Sequence, residues 1–323
     1  MTMKKILCID GGGIRGIIPA VILTEIERLT HKNISQLFDL IAGTSTGGIL
    51  ALGLVKPDDV DATKPAFRAE KLLEMYLKEG RKIFPPYAFS KIANLTEEKY
   101  SAKGIEQVLM DYFGDASLSD ALIDTMITAY EIEKRENIIF KSKSAKADKE
   151  KDFYMRDVAR GTSAAPTFFE PAQIKSVKGK RLLHVVDGGL FANNPSMCAY
   201  IEYAKKNYEM EEDGCLLASI GTGDVFKPYL YKNAVDWGLI HWAKPTIDMM
   251  FDGVSNSINY QLQALFETRK NHTYYRFQRE LQNQYNDMDD TSTETLNYLV
   301  ALSERLISEQ WKEINELCEK LSK

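Results

Sequence analysis

Phe38-Asp39-Leu40-Ile41-Ala42-Gly43-Thr44-Ser45-Thr46-Gly47-Gly48 reads as a buried strand followed by a tight glycine turn, with Ile49 to Val55 as the helix after it. Gly43-Thr44-Ser45-Thr46-Gly47 fits G-x-S-x-G, the pattern of a nucleophile elbow. The chemistry explains the spacing. A serine at a sharp strand-to-helix turn holds a strained backbone, and neighbours without Cβ let the chain fold back on itself. Its hydroxyl then stands at the positive end of a helix, where developing negative charge is favoured. An ordinary glycine turn accounts for the same residues, so the pattern gains weight only from the rest of the chain.

Before this stretch, Lys5 to Ile9 is a short buried strand, Asp10-Gly11-Gly12-Gly13-Ile14-Arg15-Gly16 a loop, and Ile17 to about Leu29 a helix that tolerates Pro19 in its first turn. Strand, glycine loop and helix start make an anion-binding unit of converging backbone amides. Gly11, Gly13 and Gly16 also match the G-x-G-x-x-G dinucleotide fingerprint, which makes an NAD(P)-binding oxidoreductase the rival reading. Three features oppose it. Asp10, directly before the loop, would repel a pyrophosphate. The ribose-binding acid should close the second strand, whereas Asp39 opens it. That strand then runs into Ser45. We read the loop as an oxyanion hole formed by the amides of Gly12 and Gly13, with Gly11 as a third candidate. Arg15 carries a permanent charge that braces the loop or adds positive potential; a structural salt bridge accounts for it equally well.

Beyond the elbow, Lys71 to Lys78 and Ser101 to Phe113 are helical, and Asp124 to Tyr130 and Asn137 to Phe140 are strands. The aromatic run Phe84-Pro85-Pro86-Tyr87-Ala88-Phe89 is expected to pack on the domain, with a lid or lipid contact as the alternative. Lys141 to Asp152 mixes five lysines with three acids and reads as a solvated loop, the best candidate for disorder, with a phosphate- or membrane-contacting tongue as the alternative. Arg181 to Val186 is a strand that ends at Asp187-Gly188-Gly189. An acid at a strand's C-terminal end, before a glycine turn, is where open α/β sheets place functional residues; a plain Asp-Gly turn is the alternative. Pro195 to Tyr203 is a helix, Leu216 to Ile220 a strand, and Tyr274 to Phe277 another. The alternation predicts a three-layer α/β/α sandwich around a mainly parallel sheet. Ile247, Met250, Phe251, Val254, Ile258, Leu262 and Leu265 fall at helical spacing, and the residues from Leu296 to Leu321 form C-terminal helices; both stripes are expected to face the core.

The chain has 323 residues, with no repeat and no composition break, so one domain over 1–323 is expected. A net charge of -5 excludes a typical nucleic-acid binder and gives no general pull toward anionic membranes. Cys8, Cys198, Cys215 and Cys318 lack C-x-x-C spacing and suit free thiols in a reducing compartment. No signal peptide and no membrane-spanning run is legible, so a cytoplasmic protein is expected, meeting any lipid from the aqueous side as a peripheral visitor.

The glycine loop, the Ser45 elbow and the Asp187 turn, in that order, resemble the patatin-like phospholipases. Ser163-Ala164-Ala165-Pro166-Thr167-Phe168-Phe169 and Ser219-Ile220-Gly221-Thr222-Gly223 are similar to further blocks of that family, and the likeness runs from about Lys5 to Phe277. The resemblance implies a serine acyl hydrolase of phospholipase A type, acting on lipid esters without a cofactor. Carried over by position, Ser45 is the nucleophile, Asp187 its base and Gly11 to Gly13 the oxyanion loop; Arg15, Gly43, Gly47 and Gly188 support them. Its partner is then a phospholipid at a membrane or micelle surface. Some bacterial members of that family act in anti-phage defence under a cyclic nucleotide, but no nucleotide site is legible in these residues. A catalytically silent binding or storage protein on the same fold is the remaining alternative.

A dyad departs from the Ser-His-Asp arrangement. Of the four histidines, His31, His241 and His272 lie far from the motifs, and His184, three residues before Asp187 in a strand, should face away from it. Histidines, cysteines and acids do not cluster at metal-ligand spacing, so no metal is expected. Asp187 is expected to be ionised at neutral pH, with an acid limb of activity below about 6.5 unless burial raises its pKa.

Overall fold

The computed structural model describes residues 3–85, 99–206, 214–225 and 228–323. The aromatic run that begins at Phe84-Pro85 lies outside the described residues from Pro86 onward. The strands are β1 (Lys4–Ile9), β2 (Leu40–Gly43), β3 (Asp124–Glu131), β4 (Glu136–Lys141), β5 (Ala172–Lys175), β6 (Leu182–Asp187), β7 (Cys215–Ile220), β8 (Asp224–Val225), β9 (His272–Phe277) and β10 (Glu280–Leu281). Helices are α1 (Ile17–Thr30), α2 (Ile34–Leu37), α3 (Thr46–Val55), α4 (Ala69–Ile83), α5 (Lys103–Phe113), α6 (Ser142–Ala147), α7 (Met155–Thr162), α8 (Gly189–Ala192), α9 (Ser196–Lys206), α10 (Tyr231–Ala234), α11 (Leu239–Glu267), α12 (Thr293–Glu309) and α13 (Trp311–Ser322).

Side chains alternate across a strand, and that period of two builds the layers. Leu7 and Ile9 of β1 join Ile41, Leu216, Ala218 and Ile220 on one face, packed with α1, α3 and the C-terminal helices. Ile6 and Cys8 join Leu40, Ala42, Cys215 and Leu217 on the other face, against α9 and the far half of α11. A sheet covered on both faces needs apolar residues at every position, which is why its strands read as continuous apolar runs. Every residue of α3 is buried, consistent with a helix apolar on all sides.

The strand order is β5-β6-β3-β2-β1-β7-β9, with β4 also on β3. From β3 to β9 all neighbours are parallel. The remaining pairs, β3–β4, β3–β6 and β5–β6, are antiparallel. The parallel half carries the elbow; the antiparallel flank was not foreseen. Its pairing has a consequence for the site. Met126 of β3 pairs with Ala42 and Lys141, and Ala129 with Ile138 and Asp187. Since β4 takes one edge of β3 throughout, β2 and β6 must share the other, running toward each other. Their C-terminal ends, Gly43 and Asp187, meet opposite Ile127 to Ala129.

Two expectations need correction. Lys141 to Asp152 is not a solvated loop: it contains α6, with Ser142 and Ala145 buried, and Asp152 is buried as well. Ser142 Oγ accepts the Thr125 amide at 2.9 Å, and Asp152 Oδ1 accepts the Ser119 amide at 3.0 Å. The lysines stay at the surface while the intervening small residues pack. The α11 stripe is only half core-facing. Phe251 and Leu262 are buried and Ile258 and Leu265 pack against the core, but Met250, in the first half of the helix, is exposed.

Candidate active site

Ser45 sits between β2 and α3 with φ 54° and ψ -125°, a region that residues bearing a Cβ rarely enter. Such a conformation costs on the order of 1–3 kcal/mol and persists only where its surroundings over-determine it. Here the Ser45 amide donates to Thr162 Oγ1 at 2.9 Å, and that hydroxyl donates to the Thr128 carbonyl at 2.6 Å. The Gly47 amide donates to the Thr44 carbonyl at 2.8 Å. A Cβ on Gly47 would lie 2.2 Å from the Ile9 carbonyl oxygen, so no other residue lets α3 pass so near β1. Gly43 ends β2, and Gly188 makes the turn after Asp187.

Asp187, the last residue of β6, is fully buried in the pocket that Ser45 lines. Its Oδ1 accepts the Gly189 amide at 2.7 Å, while Oδ2 has no hydrogen-bond partner. Burial pushes the carboxyl up to about 7; the Ser45 hydroxyl and the Gly189 amide pull the other way without overcoming it. The expectation of a fully ionised Asp187 at neutral pH is therefore corrected: the group titrates near neutrality, where a general base is best matched to its task. Ser45 influences this carboxyl without closing a full hydrogen bond onto Oδ2, and such contacts often tighten only around substrate.

The glycine loop leaves Gly12 and Gly13 lining the same pocket, and neither amide finds an acceptor among the described residues. Gly11 is different. Its amide donates to the Asn193 carbonyl at 3.0 Å, so the third candidate donor is already used and serves instead to tie β1 to the Asp187 turn. Gly13 has φ 60°, and a Cβ there would lie 2.1 Å from the Met288 carbonyl oxygen. At Gly12 a Cβ would lie 2.2 Å from Thr222 Oγ1, which donates to the Gly11 carbonyl at 2.6 Å. Gly12→Ala should therefore displace the loop and lower turnover by roughly a hundredfold or more, the scale for losing one oxyanion donor; steady-state kinetics of the variant checks it.

Arg15 is buried, and its Nε donates to the Gly12 carbonyl at 3.3 Å. It braces the loop; among the described residues it makes no ion pair. Asp10 is held by Arg276 at 2.6 Å, and Arg276 also donates to Ser219 Oγ at 2.8 Å. Asp10 is thus a neutralised anchor, which weakens its use as an argument against a dinucleotide. The stronger objection is steric: the Ile14 amide donates to the Met288 carbonyl at 2.8 Å, so backbone lies against the loop beside Gly13.

Among the described residues no histidine is hydrogen-bonded or ion-paired to Ser45 or Asp187. His184 pairs through Nδ1 with Glu133 at 2.9 Å, and its Nε2 is 2.9 Å from Gln173 Nε2. Glu131, Glu133 and His184 bring three ligand-type atoms within 4.8 Å of one another. Each is already engaged, since Glu131 caps the β3–β4 turn by accepting the Lys134 amide at 2.6 Å. Sequence reading passed over Thr128, Thr162, Asn193 and Met288. All act through backbone atoms or one hydroxyl, so no side-chain chemistry announced them.

Over Ser45 lies a pocket walled by Ile49, Ile83, Phe84, Ile105, Phe168 and Phe169, with Phe251 and Met288 at its side. The apolar lining suits an apolar chain whose polar end lies at the hydroxyl. None of the helices among the described residues is long and apolar enough to cross a membrane.

The family model described as Patatin-like phospholipase matches residues 7–200, a span that includes Gly11 to Gly13, Ser45 and Asp187. Patatin-like protein 2 of Oryza sativa subsp. indica is 33% identical, covering 95% of this chain and 84% of that protein. Probable inactive patatin-3-Kuras 1 of Solanum tuberosum is 30% identical over 97% of this chain and 88% of its own. Among solved structures, VipD from Legionella pneumophila aligns over 99% of this chain and 67% of that one, with 16% identity and a TM-score of 0.41. The dinucleotide reading of the glycine loop gives way to the family match over residues 7–200 and to the patatin-like relatives. The chain belongs to the patatin-like phospholipase family.

Proposed function

We propose that this protein is a lipid acyl hydrolase that cleaves fatty-acyl esters through Ser45 and Asp187. The observation that carries the reading is one pocket holding a strained serine, a buried carboxyl raised to about 7 and two free glycine amides beneath an apolar wall. In the ionised form, Asp187 takes the Ser45 proton as the hydroxyl oxygen attacks the ester carbonyl. The amides of Gly12 and Gly13 and the start of α3 hold the oxyanion. The intermediate collapses, Asp187 returns the proton to the leaving alcohol, and an acyl-serine remains. Water then gives its proton to Asp187 and attacks that ester, releasing a fatty acid and restoring Ser45. Free thiols at Cys8, Cys198, Cys215 and Cys318 suit a cytoplasmic enzyme that visits membranes from the aqueous side.

Incubating the purified chain with mixed phospholipid micelles should release free fatty acids and lysophospholipids in equal amounts, read by mass spectrometry. Release of phosphorylated head groups or diacylglycerol instead would mean attack at the phosphate and would refute an acyl hydrolase.

A further inference from the structure

Seven of the seventeen large apolar side chains exposed among the described residues fall within the short span from Leu230 to Met250. Leu239 is 93% exposed and Tyr231 82%; Val235, Trp242, Met249 and Met250 accompany them. The span is held together by its own rings: Tyr229 meets Trp237 at 5.5 Å, and Trp237 meets Trp242 at 5.1 Å. Helix geometry sorts the residues of α11. At about 100° per residue, Leu239, Trp242, Met249 and Met250 share an arc of roughly 100°. Phe251, Asp248 and Asp252 lie on the other side. That other side is the one in use: Phe251 walls the Ser45 pocket, and Asp248 and Asp252 line an adjoining cavity that shares Phe168, Phe251 and Met288 with it. This part of α11 thus turns its polar residues and one phenylalanine toward the site and an apolar stripe toward solvent, the reverse of a core-packed helix.

We propose that α10 and the first half of α11 form the surface that docks on a bilayer of zwitterionic phospholipid. The inference rests on the acyl-hydrolase reading, because a substrate held in a bilayer must pass from it to Ser45. Continuity argues for this occupant: α11 separates the exposed stripe from the Ser45 pocket, so a bilayer resting on it brings acyl chains to the pocket wall. The chemistry of the stripe agrees. Trp242 and Tyr231 carry an apolar body with a polar tip, which suits the head-group boundary, and leucine, valine and methionine enter beneath it. Lys232 and Asp236 beside the stripe offset each other, and the chain carries a net -5, so apolar contact rather than attraction to anionic lipid must hold it.

The test compares the full chain with a Leu239→Glu/Met250→Glu double variant on phosphatidylcholine vesicles at about 0.5 M salt, where exposed charges are screened. Both residues are exposed and neither lines the Ser45 pocket or the adjoining cavity, so the variant should keep its melting temperature. The unaltered chain should float with the vesicles and shift its tryptophan emission to the blue. The variant should bind at least about tenfold more weakly and lose vesicle hydrolysis in proportion, while cleaving dissolved p-nitrophenyl butyrate within about twofold of the original rate. Val60→Glu, at another exposed apolar position, should bind as well as the original. Equal binding by the double variant overturns the proposal, as does equal loss in Val60→Glu. A dimer in solution that the double variant splits also overturns it, since the stripe would then face a second copy. Vesicle binding through this face without cleavage of either ester upholds the surface and refutes the acyl-hydrolase reading.

Discussion

Asp187→Asn should abolish ester hydrolysis and stabilise the protein at the same time. The loss follows from chemistry: an amide fills the same space but cannot accept the Ser45 proton. A fall of roughly 10³–10⁴ in turnover is the scale when a catalytic aspartate becomes asparagine. The gain follows from burial. The folded pKa is raised from the model-peptide value of 3.8 to about 7. A raised acid favours the folded state only while it is protonated. That contribution is complete below about 3.8 and is lost as pH rises to 7, leaving a cost of roughly 4 kcal/mol above it at 1.36 kcal/mol per unit. The variant escapes the charged part of this cost, so its advantage in melting temperature should be small at pH 5 and larger at pH 8. The intact enzyme should lose activity about tenfold per unit below pH 7 and reach a plateau above it. Replacing any of the four histidines by alanine should leave turnover within about tenfold, a packing-scale loss. A folded histidine variant as inactive as Asp187→Asn would mean a hidden triad.

Ser45→Ala should remove hydrolysis by about 10⁴ or more, the scale for losing a nucleophile. Its melting temperature should stay within a few degrees, because alanine keeps the Cβ and the backbone strain at φ 54°. Ser45→Gly should be equally inactive but more stable than Ser45→Ala, by on the order of 1 kcal/mol, since glycine enters that region without strain. Thermal unfolding of the two variants side by side measures the strain held at the elbow. Equal stability would mean that Ser45 stores none.

What could be read in the chain was local. Gly43 to Gly48 and Asp10 to Gly16 carry their conformation in consecutive residues, and the strand-ending Asp187 stands beside its glycine turn. Each signal lies within about ten residues, which is the range of turn chemistry and periodicity. What escaped depends on partners distant in sequence. The antiparallel approach of β6 to β3 gave no sign in Leu182 to Asp187, yet it brings that carboxyl to the end of β2. Thr162 holds the Ser45 amide from 117 residues away. Asn193 takes the Gly11 amide, which the glycine spacing alone had left free. The mixed charges from Lys141 to Asp152 hid Ser142, Ala145 and Asp152, whose burial makes that stretch structured. In α11 the helical period was legible, but not which side would find a partner.

Reaction of the unaltered chain with a fluorophosphonate, followed by peptide mapping across pH 5 to 9, tests the Ser45–Asp187 dyad most directly. One adduct is expected, on the peptide that carries Ser45, forming at a rate that rises through a titration near pH 7 and is nearly lost in Asp187→Asn. An adduct on another serine, or undiminished labelling of Ser45 in folded Asp187→Asn, would contradict it.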